Sequence, residues 1–147
     1  DSWHDEPVCL RMEEAHFKEG GMRHAHRAQE LFDDGAESAV VVKRFKPSWT
    51  NGKDEAELVR SEAKTQAVAE DYAQQWNRLA SRSGVPQRVA FLPVAVVTIP
   101  AAQGRRSDTY SIEPFLPGDY IKYSDNNGNE LAQDEVASAF CWYTYHS

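Results

Sequence analysis

The stretch AVVVKRFKP, from Ala39 to Pro47, constrains the fold of this chain more than any other segment. Its run of β-branched residues has no helical period, so it predicts a buried β-strand. Lys43 follows the valines directly, and burying an ammonium group without a partner is very unfavourable. Two interpretations are open at this point. Either Lys43 covers apolar surface with its stem and keeps its head in water, or it points into a cleft that holds an anion.

The order of segments around this strand predicts an α+β domain with a mostly antiparallel, twisted sheet and one long helix. Turn residues separate the strands, and apolar residues at helical spacing mark the helices. In the first half of the chain we expect a strand, glycine turn and strand at Phe17–Ala28, a turn at Leu31–Ser38, the valine strand, and a loop at Pro47–Glu55. A helix should follow from about Asp54 to Ser81. After it we expect a strand or strand pair interrupted at Pro93 within Arg88–Pro100, a strand at Thr109–Leu116, and a helix in DEVASAFCWYTYH.

Length and charge exclude some classes of protein. A chain of 147 residues is within the range of one domain. Its net charge of −7 argues against general nucleic-acid binding, which needs clustered Lys and Arg. A small phosphate site with a few local cations stays compatible with that charge. No stretch approaches the roughly 18 apolar residues of a membrane-spanning helix.

The cysteines and histidines give weak signals. Cys9 and Cys141 stand far apart and outside any C-x-x-C pattern, which indicates structural thiols in a reducing compartment and predicts a cytoplasmic location. A single disulfide between the two cysteines is the alternative that the sequence leaves open. His24 and His26 would share a strand face, but the sequence offers no third ligand at metal-like spacing. We therefore interpret them as half-exposed strand histidines and predict no metal site.

Three features occur in the order that nucleotide phosphate binding requires. A glycine turn at Gly20 and Gly21 is followed closely by Arg23, a buried strand carries Lys43, and a later strand ends at Glu113 before a proline. Glycines let backbone N–H groups approach an anion, and the two cations supply charge to a triphosphate. This is the order of a protein-kinase small lobe. Each signal is weak alone, because the chain has no G-x-G-x-x-G or G-x-x-x-x-G-K-[ST] motif.

Four segments resemble the atypical α-kinases, the family of myosin heavy chain kinases, elongation-factor kinases and channel-linked kinases. They are FKEGGMRHAHRA, VVVKRF, YSIEPFLPGDYIKYSDNNG and ASAFCWYTYHS, and the resemblance runs from about Phe17 to Ser147. The ending is one residue shorter than the usual family version. The most specific block is E-P-[FY]-x-x-G-x-Y-x-K-Y, which is matched by Glu113, Pro114, Phe115, Gly118, Tyr120, Lys122 and Tyr123.

The resemblance implies a role for the phosphate-binding candidates. The turn at Gly20 and Gly21, together with Arg23, would cover the ATP phosphates. Lys43 would be the catalytic lysine on the α- and β-phosphates. A carboxylate from the long helix would orient Lys43, with Glu70 as the first candidate and Glu62 as the alternative.

The resemblance also implies an adenine-contacting hinge. Backbone groups of Glu113 and Leu116 would meet the base there. The loop KYSDNNG, Lys122–Gly128, resembles a structural loop near the lobe junction.

The expected domain organisation follows from the same resemblance. Residues 1–16 would be an N-terminal extension, and residues 17–147 would be the N-terminal lobe and lobe junction of a protein-kinase-like domain, truncated before its large lobe. We expect the magnesium-binding and catalytic residues, and a structural zinc site, to follow Ser147. The parent protein would transfer the γ-phosphoryl group of Mg-ATP to serine or threonine of a protein substrate, and the chain alone would be inactive.

Two alternatives remain. One is an inactive α-kinase-like module that binds a nucleotide or a protein. The other is an unrelated α+β interaction domain in which these residues are surface charges.

Overall fold

A computed structural model describes residues 3–125 and 127–147 of the chain. Its elements are β1 (Cys9–Met12), β2 (Lys18–Glu19), β3 (Arg23–Leu31), β4 (Glu37–Phe45), α1 (Pro47–Thr50), α2 (Glu55–Arg82), β5 (Ala95–Ile99), β6 (Asp108–Pro114) and α3 (Glu135–His146). They form two compact units. The first comprises the chain up to Lys64 together with Leu92–Phe115, and the second comprises Thr65–Phe91 together with Leu116–Ser147.

The first unit is built on a six-stranded antiparallel sheet. Its strand order is β1-β3-β4-β6-β5, and β2 pairs with β3 beside that path. The predicted α+β class, with an antiparallel sheet and a long helix, is confirmed. Because β1 pairs with β3, part of the predicted N-terminal extension belongs to the sheet.

One face of the sheet carries the apolar core. Side chains alternate between the two faces along a strand, and directly paired residues share a face. Val40 and Val42 of β4 therefore lie on the same face as Ile112 of β6. Val42 is only 1% exposed, so this face is well covered. The buried residues of the cluster are Ala28, Val40, Val42, Val97, Tyr110 and Ile112.

The long helix α2 agrees with its prediction to within one residue at each end. The Asp54 carboxylate accepts hydrogen bonds from the backbone N–H groups of Ala56 and Glu57, which would otherwise lack partners in the first turn. After the last turn, Gly84 adopts a φ of 77°, a left-handed conformation that stops the helix.

The second unit has an aromatic core of its own. Ala73, Trp76 and Ala80 on α2 are buried together with Phe140 on α3. The rings of Trp76 and Phe140 meet edge to face, with centroids 6.1 Å apart. Asp134 caps α3 by accepting from the Ala137 N–H.

The prediction of a strand or strand pair within Arg88–Pro100 was partly wrong, because only Ala95–Ile99 forms a strand. The remainder is held by side chains of α2. Asn77 exchanges two hydrogen bonds with the backbone of Val89, at 2.7 and 2.9 Å, and Glu70 accepts from the Phe91 N–H at 2.7 Å. These bonds take the backbone groups that a strand ladder would use, and proline has no N–H to offer.

Two loops bear on other predictions. Pro47–Thr50 forms the short helix α1 where a loop was expected, and the Asn-Gly turn follows it with both residues at positive φ. In the predicted structural loop Lys122–Gly128, the Asp125 carboxylate accepts from the backbone N–H groups of Asn127 and Asn129. Asn126 lies outside the described residues.

Cys9 and Cys141 are exposed free thiols, so the structure does not join them. Among the helices in the described ranges, none combines the length and the apolar character needed to cross a bilayer.

Candidate functional site

Arg23 and Lys43 lie on the same face of the sheet, opposite the apolar core. Lys43 is paired with Ala25 across β3 and β4, and Arg23 is paired with Phe45. Arg23 is thus the diagonal cross-strand neighbour of Lys43, a relationship that separates residues by roughly 7–8 Å. The two cations predicted from the sequence therefore come from adjacent strands and share one face.

Lys43 forms an ion pair with Glu113. Its Nζ lies 2.5 Å from Oε1 of Glu113, and the two side chains are 25% and 16% exposed. Glu113 is two residues beyond Ser111, the direct partner of Lys43 on β6, so this is also a diagonal pair. The lysine is therefore held by a carboxylate within the sheet and does not simply extend into water.

Arg23 is held by the long helix. Its Nη1 donates to Oε2 of Glu62 at 2.6 Å, and its guanidinium lies 5.9 Å from the centroid of the Phe45 ring. The side chains of Arg23 and Glu62 are 32% and 37% exposed, so water reaches both groups. The helix carboxylate expected on Lys43 is found on Arg23 instead.

Glu70 makes contacts different from the pairing expected with Lys43. Its carboxylate accepts hydrogen bonds from the Phe91 N–H and from the Gln74 side chain. Both bonds lower the pKa of Glu70, and the bond from the Phe91 backbone has the larger effect. Sequence spacing on α2 allowed either Glu62 or Glu70 as a partner. It could not reveal that Glu113 is nearer to Lys43 through the register of β4 and β6.

The glycine turn connects β2 to β3 as a tight hairpin. The Gly20 N–H donates to the Arg23 carbonyl at 2.9 Å, which leaves Gly21 and Met22 at the tip. Neither Gly20 nor Gly21 lies in the left-handed region, and a Cβ at Gly21 would meet nothing within 4 Å. The backbone itself does not demand glycine at Gly21. Because Gly21 has no side chain, the space beside the main chain is open.

The predicted hinge begins where β5 ends its pairing with β6. That ladder stops at the Ala95–Ile112 pair, one residue before Glu113. On the other side, Glu113 is still paired with Val41 of β4, and the Phe115 N–H donates to the Ala39 carbonyl. Leu116, the second predicted hinge residue, is 62% exposed.

Sequence reasoning missed a third cation on this face. Arg27 is paired with Val41, so it shares the face of Lys43. Its guanidinium lies 4.9 Å from the centroid of the Phe17 ring and 5.5 Å from that of Phe115. The alternation Arg23-x-x-x-Arg27 on β3 was the available signal, since residues four apart on a strand share a face.

Comparisons with known proteins agree with the resemblance noted from the sequence. The model of the alpha-kinase family matches residues 18–147. Alpha-protein kinase 1 of Dictyostelium discoideum is 26% identical over 144 residues, covering 97% of this chain and 10% of that protein. Human eukaryotic elongation factor 2 kinase is 23% identical over 133 residues, covering 86% of this chain and 17% of that protein. The chain thus spans a small part of these relatives.

Solved structures show the same fold. The alpha-kinase domain of myosin-II heavy chain kinase A in complex with AMP-PNP superposes with a TM-score of 0.81 at 21% identity, covering 95% of this chain and 65% of that domain. The ADP complex of the same domain gives a TM-score of 0.78 at 23% identity, with 95% and 64% coverage. The described residues therefore correspond to about two-thirds of the solved domain.

Proposed function

The chain belongs to the alpha-kinase family, and we propose that it is the ATP-binding portion of a protein serine/threonine kinase. The relatives that it matches carry kinase names, and the solved domain with the same fold was crystallised with AMP-PNP and with ADP. The site on this chain is the sheet face that carries Arg23, Lys43 and Glu113, together with the turn at Gly20 and Gly21.

The observation that carries this proposal is the common face of Arg23 and Lys43. Two cations on adjacent strands repel each other. Here Arg23 is paired with Glu62, and Lys43 is paired with Glu113. A polyphosphate placed between them would receive both charges at once. Because this face is partly shielded from water, such contacts are stronger than on a fully exposed surface.

Each residue has a specific role in the proposal. Lys43 binds the α- and β-phosphates and acts as the catalytic lysine, because a rigidly held cation stabilises charge on the transferring phosphoryl group. The ion pair with Glu113 fixes the position of its ammonium group. Arg23 and the backbone N–H groups of the Gly20–Gly21 turn cover the phosphates from the hairpin.

Adenine would bind at the end of the β5–β6 ladder. Beyond Ile112, β6 is no longer paired with β5, so the edge of β6 that β5 leaves open is where we place the base.

In the proposed reaction, a serine or threonine hydroxyl of a protein substrate attacks the γ-phosphorus of ATP, ADP leaves, and the hydroxyl proton is released to solvent. Magnesium, when bound, would neutralise the phosphate charge. The described residues do not fit a magnesium site on this face. Their one group of three potential ligands is His16, Glu19 and His24, which offers two imidazoles where Mg²⁺ prefers oxygen. His24 pairs with Arg44, so it belongs to the opposite face from Lys43.

Calorimetric titration of the chain with ATP and with adenosine tests the proposal. We expect ATP to bind about tenfold or more tightly than adenosine, because Arg23 and Lys43 contribute only through phosphates. Equal affinities would contradict a phosphate role for these cations. The measurement is repeated at several salt concentrations, since the ATP advantage should shrink as salt screens the exposed part of the site.

A second candidate, an inactive nucleotide-binding module, is consistent with one observation. Arg23 and Lys43 are both already neutralised by carboxylates, which a structural role would also require. Phosphoryl transfer to protein substrate, measured on the full-length protein, distinguishes the two. ATP binding without transfer would favour the module, and transfer that depends on Lys43 would favour the kinase.

A further inference from the structure

We propose that His16, Glu19 and His24 bind one divalent transition-metal ion. One ligand atom from each of these residues lies within 4.8 Å of the others. This inference is independent of the kinase proposal. It revises the prediction of no metal site, because the fold brings His16 and Glu19 to His24 although the sequence spacing shows no metal motif.

The Glu19 carboxylate has one oxygen near each imidazole. Nε2 of His24 is 3.6 Å from Oε1 of Glu19, and Nε2 of His16 is 3.8 Å from Oε2. Zn–N and Zn–O bonds are about 2.0–2.2 Å long, so ligand atoms around one ion lie roughly 3–3.5 Å apart. The two nitrogen–oxygen distances here are therefore slightly longer than those around a bound ion.

The two histidine rings face each other. The centroids of His16 and His24 are 4.3 Å apart and the ring planes differ by 6°. A ligand nitrogen directs its lone pair in the ring plane, so one ring must turn out of the stack for both to reach one ion. His16 has the freedom to do so, because it is exposed and lies outside the strands. The backbone of His24 is fixed by its pairing with Arg44 on β4.

A third histidine, His26, lies beside this cluster. His26 lies edge-on to His16, with centroids 6.1 Å apart. Its Nδ1 is 3.1 Å from the Glu13 carbonyl oxygen. Its Nε2 is buried and has no hydrogen-bond partner within the described ranges.

Lys46 competes with the ion for Glu19. Its Nζ lies 2.5 Å from Oε1 of Glu19. The hydrogen bond and charge of Lys46 lower the pKa of Glu19. Oε2, the oxygen nearer to His16, is the one that Lys46 leaves available. Removal of the lysine should therefore strengthen metal binding.

The ligand set selects the class of ion. Two imidazoles and one carboxylate suit Zn²⁺, Co²⁺ or Ni²⁺ and disfavour Mg²⁺ and Ca²⁺. The side chains of His16, Glu19 and His24 are 41%, 53% and 26% exposed, so water can complete the coordination. The ion would join the segment before β2 to β2 and β3, and so tie the base of the hairpin that carries Gly20 and Gly21.

The test is calorimetric titration of the full chain with Zn²⁺, with Mg²⁺ as the comparison ion. We expect one Zn²⁺ site, weakened about tenfold or more in His16→Ala, Glu19→Gln and His24→Ala. The matched controls are His4→Ala and Glu14→Gln, both exposed and outside the cluster, which should bind as the unchanged chain does. Lys46→Met should bind more tightly.

Circular dichroism establishes that each variant is folded, and Zn²⁺ should raise the melting temperature of the unchanged chain but not of His16→Ala. His16 is exposed and outside the strands, so this variant keeps the test valid even where His24→Ala fails to fold. Zn²⁺ affinity unchanged by His16→Ala and Glu19→Gln would overturn the proposal and direct attention to Cys9 or Cys141. Equal affinity for Mg²⁺ would also overturn it.

Discussion

Lys43 and Glu113 lie diagonally across the β4–β6 ladder, with their charged atoms 2.5 Å apart. The strand register brings the two residues together, because Lys43 is opposite Ser111 and Glu113 follows two residues later on the same face. The lysine at the end of a valine run is thereby accommodated, since the valines of the apolar core point to the other face.

The first prediction concerns the strength of this pair. We expect a double-mutant cycle of Lys43→Met and Glu113→Gln to give a coupling free energy of about 1–3 kcal/mol, because either single change leaves a half-buried charge without its partner. Urea unfolding measures it. The control is the cycle of Arg11 and Glu37, whose side chains are 62% and 48% exposed. That pair should couple by less than about 1 kcal/mol. Equal couplings for the two pairs would show that burial does not matter here.

The second prediction separates binding from folding at the glycine turn. Gly21→Ala should leave the free energy of unfolding nearly unchanged, because Gly21 is not in the left-handed region and its added Cβ has space. The same Cβ should weaken ATP binding several-fold by keeping the phosphates from the backbone. Gly35→Ala is the control. Gly35 has a φ of 84°, so this change should destabilise the fold by about 1 kcal/mol and leave the ATP affinity of the folded chain unaltered. ATP binding that is insensitive to Gly21→Ala would remove the turn from the site.

The third prediction concerns the segment after α2. Asn77→Ala should lower the free energy of unfolding by about 1–3 kcal/mol, because both the N–H and the carbonyl of Val89 would lose their partner. Gln75→Ala on the exposed side of α2 is the control, and it should change stability by less than about 0.5 kcal/mol. A similar effect of both substitutions, measured by urea unfolding, would mean that the Asn77 side chain does not anchor this segment.

The fourth prediction is a dependence of stability on pH. Hydrogen bonds from Phe91 and Gln74 lower the pKa of Glu70 below its usual value of 4.5. A lowered folded-state pKa means that the contribution of Glu70 is fully present above the unfolded-state pKa and is lost as pH falls through the folded-state pKa. Melting temperatures measured from pH 6 down to about pH 3 should therefore fall less steeply for Glu70→Gln than for the unchanged chain. Asp71→Asn, an exposed neighbour on α2, is the control. Parallel curves for the unchanged chain and Glu70→Gln would contradict the prediction.

The sequence was sufficient to predict the elements whose own side chains determine them. The run of β-branched residues around Val42, the helical period of α2 and the glycine turn each specify local structure. The strand predicted over Arg88–Pro100 was partly wrong because Asn77 and Glu70, which are distant in sequence, take the backbone bonds of Val89 and Phe91.

The candidate site was predictable only as a set of residue types. Arg23, Lys43 and Glu113 could be selected from the sequence, but their partners depend on strand register. Periodicity along one segment cannot show that Ser111, and with it Glu113, is aligned with Lys43. For the same reason, the approach of His16 and Glu19 to His24 was hidden until β2 and β3 were paired.

The most direct test of the central claim is the ATP affinity of Lys43→Met, measured by calorimetry beside that of Lys53→Met. Lys53 is an exposed lysine that lies over the Trp49 ring, and it serves as the matched control. The double variant with Glu113→Gln removes the unpaired carboxylate and so separates loss of binding from loss of folding. If Lys43 binds the phosphates, Lys43→Met and the double variant lose about tenfold or more in ATP affinity, adenosine affinity is unchanged, and Lys53→Met binds ATP normally. ATP affinity that is the same in all of these folded variants would contradict the proposal and leave Lys43 as a structural partner of Glu113.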